Sequence, residues 1–368
     1  MPSATVAHVS PWGVHCGIAK HLSYWLPELR RPAVICAEHP PYWHSSVVSD
    51  WNTFPTERCW RRGAADALQS ACAFAEAQDA RIIHLQWDPS FFPLSAMLGY
   101  SEWAATRNVR TVVTAHTLMD DDQFVWENKQ ILCLADQFVV GTPAMVKAFT
   151  DYATRFGIRL RRPIRWIPLS APHVAQPPPV AADPLSGPII LTWGFLGGFK
   201  GHAEVLDAVR LIRSFAPGAR YVVVGRAMTG EQRNNMESLR QQSERDPGLL
   251  EVREGFLGDD EIIALCQSAD CIVLNHQVRH ISSSGTVVVS VASGTPVVVN
   301  DSPMFSGYIE SGAVRVAAPG PAGIADAILD VLSDGHSLIA GRSEMIARTT
   351  PEAVAAQYEQ VYSELEST

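Results

Sequence analysis

Short apolar runs rich in valine and isoleucine recur along the first half of the chain: TVAHVS, AVICA, RIIHLQW, RTVVTAH, QFVVG and RWIPL. Each is followed by a segment long enough for a helix or a loop, and strands that alternate with helices predict a parallel, doubly wound sheet. The pattern lapses over residues 172–188, a proline-rich stretch with neither helical nor strand period, and restarts with PIILTWG, ARYVVVG, LEVREG, DCIVLN and TPVVVND. Helical segments lie between these, such as HAEVLDAVRLIRSF, whose apolar residues fall at i, i+3 and i+4. The chain therefore reads as two Rossmann-like α/β domains, 1–174 and 188–350, joined by a linker. The residues after Pro351, EAVAAQYEQVYSELES, read as a terminal helix at about 351–368.

Composition narrows the class. A length of 368 residues fits two domains, and 47% hydrophobic with 18% charged residues excludes disordered and collagen-like chains. The first residues carry neither a basic region nor an apolar run, and no stretch approaches the ~20 apolar residues of a spanning helix, so a cytoplasmic protein is expected. Seven scattered cysteines without a CxxC pair suggest reduced thiols. The net charge is −9, with 16 basic and 15 acidic residues through Val180 against 13 and 23 afterwards. That balance argues against nucleic acid as a partner. Arg155, Arg159, Arg161, Arg162 and Arg165 leave room for weak peripheral contact with an anionic membrane face, although a solvated helix end is the favoured reading of such a run.

Three loops carry candidate chemistry. Gly13 to Lys20, GVHCGIAK, follows the first strand and opens a helix, where glycines let backbone N–H groups approach an anion. Its spacing is neither GxxxxGK[ST] nor GxGxxG, which removes support for an ATPase or an NAD enzyme. Trp193 to His202, WGFLGGFKGH, is a glycine-rich loop after a strand, and its Lys200 suits a diphosphate. A fixed ammonium stabilises a diphosphate leaving group more as its negative charge develops. Arg226 follows the strand YVVVG at the edge where open α/β sheets bind ligands. His280 to Thr286, HISSSGT, sets hydroxyls and a glycine ahead of a helix, an anion site beyond what capping requires.

The ordered series CGIAKHL, IIHLQWDPSFF, VVTAHT, LADQFVV, WIPLS, LTWGFLGGFKGH, YVVVG, GFLGDDEIIALCQSADCIVLN and SGTVVVSVASGTPVVV resembles retaining GT-B glycosyltransferases of family 4 over nearly the whole chain. The resemblance implies two Rossmann-like domains with a deep interdomain cleft, the terminal helix packing back on the first. It implies transfer, with retention, from a nucleotide-diphosphate sugar to the hydroxyl of a glycan, lipid-linked or small-molecule acceptor, without metal or other cofactor. Matched residue by residue, Gly17 and Lys200 would face the donor diphosphate, and His116 would touch the donor sugar. Ser283, Ser284, Gly285 and Thr286 would grip the terminal phosphate, with Arg226 and His280 beside them, while Phe256 and Leu257 would meet the base. His15, Gln86 and Asp88 would lie on the acceptor side.

Two features depart from the family pattern. Phe195 or Leu196 occupies the region of the arginine that usually precedes the lysine, so Arg226 or backbone would compensate. The paired glutamates ahead of GxPV are replaced by Ile281 and Val289. Sugar and ribose contacts would then move to Asn275, Gln277, His280 or backbone. A non-catalytic nucleotide-sugar binding partner of a transferase and a GT-B epimerase are the alternatives. Asp120 to Asp122 look like a DxD metal site but read better as a solvated acidic run. His276 and His280 have zinc spacing only on a helix, and their segment reads as a loop.

Overall fold

The computed structural model describes residues 3–40, 53–120, 122–174, 187–255, 257–278, 280–334 and 339–367. The first half contributes strands β1 (Thr5–Ser10), β2 (Ala33–Glu38), β3 (Thr56–Trp60), β4 (Ala80–Trp87), β5 (Arg110–Ala115), β6 (Thr117–Leu118), β7 (Gln137–Val140) and β8 (Arg165–Trp166). The second contributes β9 (Ile189–Trp193), β10 (Arg220–Gly225), β11 (Leu250–Glu254), β12 (Cys271–Leu274), β13 (Ile281–Ser282), β14 (Val297–Asn300) and β15 (Arg315–Ala317). Two parallel sheets result, ordered β3-β2-β1-β4-β5-β7-β8 and β11-β10-β9-β12-β14-β15. The expected pair of Rossmann-like α/β units is thus present.

Unit 1 comprises residues 1–170, 280–283 and 350–368; unit 2 comprises 171–279 and 284–349. The sheet of unit 1 is covered on both faces, which is why its strands are near-continuous apolar runs. Ala7 and Val9 pack into one core with Leu85, Val113 and Phe138. On the other face, Val6, Ile35 and Ile82 pack with Trp25 and with Val354, Tyr358, Val361 and Tyr362 of the terminal helix Pro351–Glu366. Pro351 starts that helix where no N–H is needed, and the Thr350 side chain caps it by accepting from Ala353 N at 3.2 Å. Polar contacts add to the docking: Arg31 pairs with Glu359 and Glu366 at 2.9 and 3.0 Å, and Trp25 stacks on Tyr358 with ring centroids 4.2 Å apart.

In unit 2 the core gathers Ile190, Val223, Val273 and Val298 from the central strands with Val205, Val209 and Ile328 from flanking helices. The segment 280–283 leaves unit 2 to join unit 1, where β13 pairs antiparallel with β6, Ile281 opposite Leu118 and Ser282 opposite Thr117. Among the described residues, no helix is long and apolar enough to cross a membrane.

Candidate functional site

Functional side chains in doubly wound sheets collect beyond the carboxyl ends of the strands. In unit 2, β9 is followed by Gly194, which sits at φ +110. A Cβ there would stand 2.9 Å from both Lys200 Nζ and Thr286 Cγ2, so both side chains lie directly against bare backbone. The loop is tied down on β10, with Gly194 N donating to Val224 O at 2.9 Å and Leu196 N to Arg226 O at 3.2 Å. Lys200 ends a single turn of 3-10 helix, Gly198–Lys200, and is only 3% exposed. Its Nζ donates to Trp193 O at 3.0 Å, no described carboxylate pairs with it, and burial pushes its pKa down to about 7. A buried ammonium with one carbonyl partner has, among the described residues, no counter-charge of the kind that buried cations normally have.

Beside Lys200, the helix Gly285–Ala292 starts at Ser284, whose side chain caps nothing. Its hydroxyl instead meets that of Thr286 at 2.8 Å, so the hydroxyls sit at a helix N-terminus with the first-turn N–H groups uncapped by side chains. The hydroxyl run expected as one grip is nevertheless divided. Ser284, Gly285 and Thr286 belong to unit 2, whereas Ser283 belongs to unit 1. There Ser283 N donates to His116 O at 3.3 Å and its side chain presses on Gly141, where any Cβ would come within 2.6 Å of Ser283 Oγ. Antiparallel pairing of β13 with β6 draws Ser283 away, a long-range bond pattern that a local motif does not reveal.

The remaining donor-side residues scatter. Arg226 is half-buried just past β10 and makes no ion pair with a described residue. Leu257 lines a cavity of about 360 Å³ with Val224, Arg253, Gly255, Glu261 and Leu265; Phe256 lies outside the described residues. Gly17 is exposed at the first turn of helix Gly17–Trp25. His280 is exposed in a bend, while His276 is buried with Nδ1 3.1 Å from Met304 Sδ, so the two histidines do not share a helix face. Asn275 and Gln277 both turn their amides to Glu204, at 2.9 and 2.8 Å. Glu204, in the first turn of helix His202–Ile212, was not singled out from the sequence, where it is one acidic residue at a helix start.

In unit 1, His116 follows β5. It is 7% exposed, its backbone N donates to Trp87 O at 3.0 Å, and its Nε2 lies 2.8 Å from Gln86 Oε1. Burial pushes its pKa down to about 4 against a small opposing pull from Asp88, so the ring is neutral at neutral pH. Gln86, expected on the acceptor side, is fully buried in β4 and holds His116 instead. The reason is strand periodicity: His84 and Gln86, two residues apart, face the same side of the sheet. Asp88, half-buried at the end of β4, accepts from Ser90 N and Oγ at 3.0 and 2.6 Å. His15 is half-buried in the first loop. The acidic run is solvated at its described end, with exposed Asp120 paired to exposed Arg155 at 3.3 Å. Asp121 lies outside the described residues, and Asp122 opens a turn of 3-10 helix. Trp60 and Trp87 are core residues, as are Trp12 and Trp25.

A buried lysine and a helix N-terminus whose two hydroxyls bond only to each other thus stand on either side of Gly194 in unit 2. Residues 179–350 match the family model for glycosyl transferases group 1. Solved structures resemble the whole chain. HepE from Anabaena, in complex with UDP and glucose, is 15% identical, with a TM-score of 0.73 over 98% of this chain and 100% of that one. Sucrose-phosphate synthase from Thermosynechococcus elongatus is 18% identical, with a TM-score of 0.71 over 99% of each chain. A glycosyltransferase from Rickettsia africae is 13% identical, with a TM-score of 0.74 over 99% of each. At such identities the likeness establishes the GT-B architecture. A comparison with curated protein sequences gives no match.

Proposed function

We propose that the protein is a retaining glycosyltransferase of the family 4 type, moving a sugar from a nucleotide-diphosphate sugar to an acceptor hydroxyl on a glycan, lipid-linked or small molecule. The observation that carries this is Lys200: a buried amine with no counter-charge among the described residues, across Gly194 from Thr286, inside the segment that matches glycosyl transferases group 1. The UDP and UDP-glucose complexes of HepE support a nucleotide-diphosphate sugar as the donor class.

In this reading Lys200, Arg226 and the N–H groups and hydroxyls at Ser284 to Thr286 hold the diphosphate. As the bond between the anomeric carbon and the diphosphate oxygen breaks, the leaving oxygen gains charge beside the Lys200 ammonium, which is already protonated in the donor complex. The acceptor oxygen bonds to the anomeric carbon on the face the diphosphate leaves, and its proton passes to the leaving phosphate oxygen. No side-chain nucleophile is needed, which accommodates Ile281 and Val289 in place of the family's glutamates. His116 orients the sugar. The test is turnover of UDP-, GDP- and ADP-sugars with a set of acceptors in excess EDTA. Wild-type protein is expected to transfer at its full rate and Lys200→Ala to lose ~100-fold or more. Wild-type turnover by Lys200→Ala refutes the lysine's role, and activity that returns only with Mn²⁺ or Mg²⁺ refutes metal independence.

A further inference from the structure

His8, His21, His84 and His116 are all buried in unit 1, and a chain of hydrogen bonds joins two of them to the terminal helix. His116 Nε2 lies 2.8 Å from Gln86 Oε1, and Gln86 Nε2 lies 3.3 Å from His84 Nε2. That same His84 nitrogen lies 2.7 Å from Thr114 Oγ1, which in turn meets the Tyr358 hydroxyl at 3.0 Å. On the other side of its ring, His84 Nδ1 lies 2.7 Å from the Tyr362 hydroxyl. Every member is buried, so each proton's position constrains the next.

A neutral imidazole has one donor and one acceptor nitrogen, and an amide has one donor end and one acceptor end. With Gln86 Oε1 toward His116, Nε2 of His116 carries the proton. With the Gln86 amide nitrogen donating to His84, the His84 Nε2 is a lone pair and its Nδ1–H donates to Tyr362. His116 is then left with Nδ1 as an acceptor, without a partner among the described residues. The reverse arrangement is also self-consistent: Tyr362 donates to His84, Gln86 is turned over, and His116 presents Nδ1–H. One buried amide therefore decides whether His116 offers a ligand an acceptor or a donor.

We propose that Gln86 is a positioning residue that fixes His116 as the Nε2–H tautomer, so that His116 Nδ1 accepts a hydrogen bond from a hydroxyl of the transferred sugar. Tyr362 of the terminal helix completes the chain at the far nitrogen of His84. The sugar contact rests on the donor reading given above; the tautomer does not.

Two measurements on the full chain separate them. Long-range proton–nitrogen spectra of histidine-labelled protein at pH 7, with His116 assigned from His116→Ala, are expected to show Nε2–H in the wild type. The His116 signals are expected to move toward the other tautomer in Gln86→Leu and, if that variant folds poorly, in the distant Tyr362→Phe. A wild-type Nδ1–H tautomer, or His116 signals unchanged in both variants, overturns the proposal, since a merely structural glutamine would leave the tautomer alone. Calorimetry with UDP-glucose, GDP-mannose and ADP-glucose and their nucleoside diphosphates reads the sugar contact. Gln86→Leu is expected to weaken the preferred nucleotide sugar about fivefold or more relative to its nucleoside diphosphate, whose own affinity stays within about twofold. Equal loss of both overturns the sugar contact. Wild-type protein that binds none of the probes overturns the donor reading and the contact with it, while the tautomer is still judged by the spectra.

Discussion

His116 beyond β5 and Lys200 beyond β9 are both buried basic groups, but burial has opposite consequences for them. His116 is a neutral ring with pKa about 4, and Gln86 holds one of its nitrogens. It needs no counter-ion and serves as a fixed hydrogen-bonding surface. Lys200, with pKa about 7 and one carbonyl partner among the described residues, stands near the midpoint of its ionisation. The buried imidazole is stable as a neutral group, whereas the buried amine is near its titration midpoint and has no described counter-charge.

The largest test of that difference is Lys200→Met. It should abolish nucleoside-diphosphate binding, by ~100-fold or more, while raising the stability of the ligand-free protein by ~1–3 kcal/mol, because a desolvated amine is replaced by an apolar chain of similar length. Calorimetry and chemical denaturation read the two effects. A variant that is less stable than wild type shows Lys200 to be an ordinary structural residue.

The pH dependence sharpens the contrast, because both groups have lowered pKa values but in separate windows. His8 and His116 titrate at about 3 and about 4 in the folded protein, against an unfolded value of 6.5. Below pH 6.5 the unfolded chain binds protons that the folded chain does not, so stability falls with pH by ~1.4 kcal/mol per unit for each ring down to about pH 4. Lys200 behaves likewise between about 7 and the ordinary lysine value of 10.5: ligand-free stability rises with pH there, at ~1.4 kcal/mol per unit. Buried thiols such as Cys271, whose pKa is raised by burial, act in the opposite direction in that range, so wild type minus Lys200→Met isolates the lysine. Diphosphate affinity should fall by up to ~10-fold per unit above about pH 7, since the bound state requires the ammonium. A flat profile from pH 7.5 to 9.5 removes the poised-lysine argument.

The smallest effect is expected from Thr286→Val, which keeps the shape beside Gly194 and removes the hydroxyl bonded to Ser284. Diphosphate affinity should drop ~3–10-fold with stability within about 0.5 kcal/mol, measured by calorimetry and thermal melts. No loss of affinity would place the anion away from this helix start.

Most strands visible in the sequence are buried on both faces, although LEVREG, the edge strand β11, was also read. TVAHVS, AVICA, RIIHLQW and YVVVG are continuous apolar runs, and β1, β2, β4 and β10 stand there. The strands β3, TERCW, and β15, Arg315–Ala317, were not legible because these partly exposed edge strands carry no apolar run. RWIPL shrinks to the two-residue β8 for the same reason. In the site, Lys200 was legible because a strand, a glycine-rich loop and a helix lie in one short stretch. The Gln86 contact was half legible: His84 and Gln86 are polar residues two apart in an otherwise apolar run, a sign of one buried polar face. What they meet, His116 on a neighbouring strand and Tyr362 278 residues away from His84, was not.

The sequence by itself determined two α/β units, the strand ends that carry Lys200 and His116, and the glycines that let side chains approach the backbone, since each depends on residues within a few positions. Tertiary structure decided the rest. It parted Ser283 from Ser284 through the β6–β13 pairing, turned Gln86 inward to His116, and lowered the Lys200 pKa by burial. Those outcomes depend on distant partners and on exclusion from water, and neither is written in any local stretch of the chain.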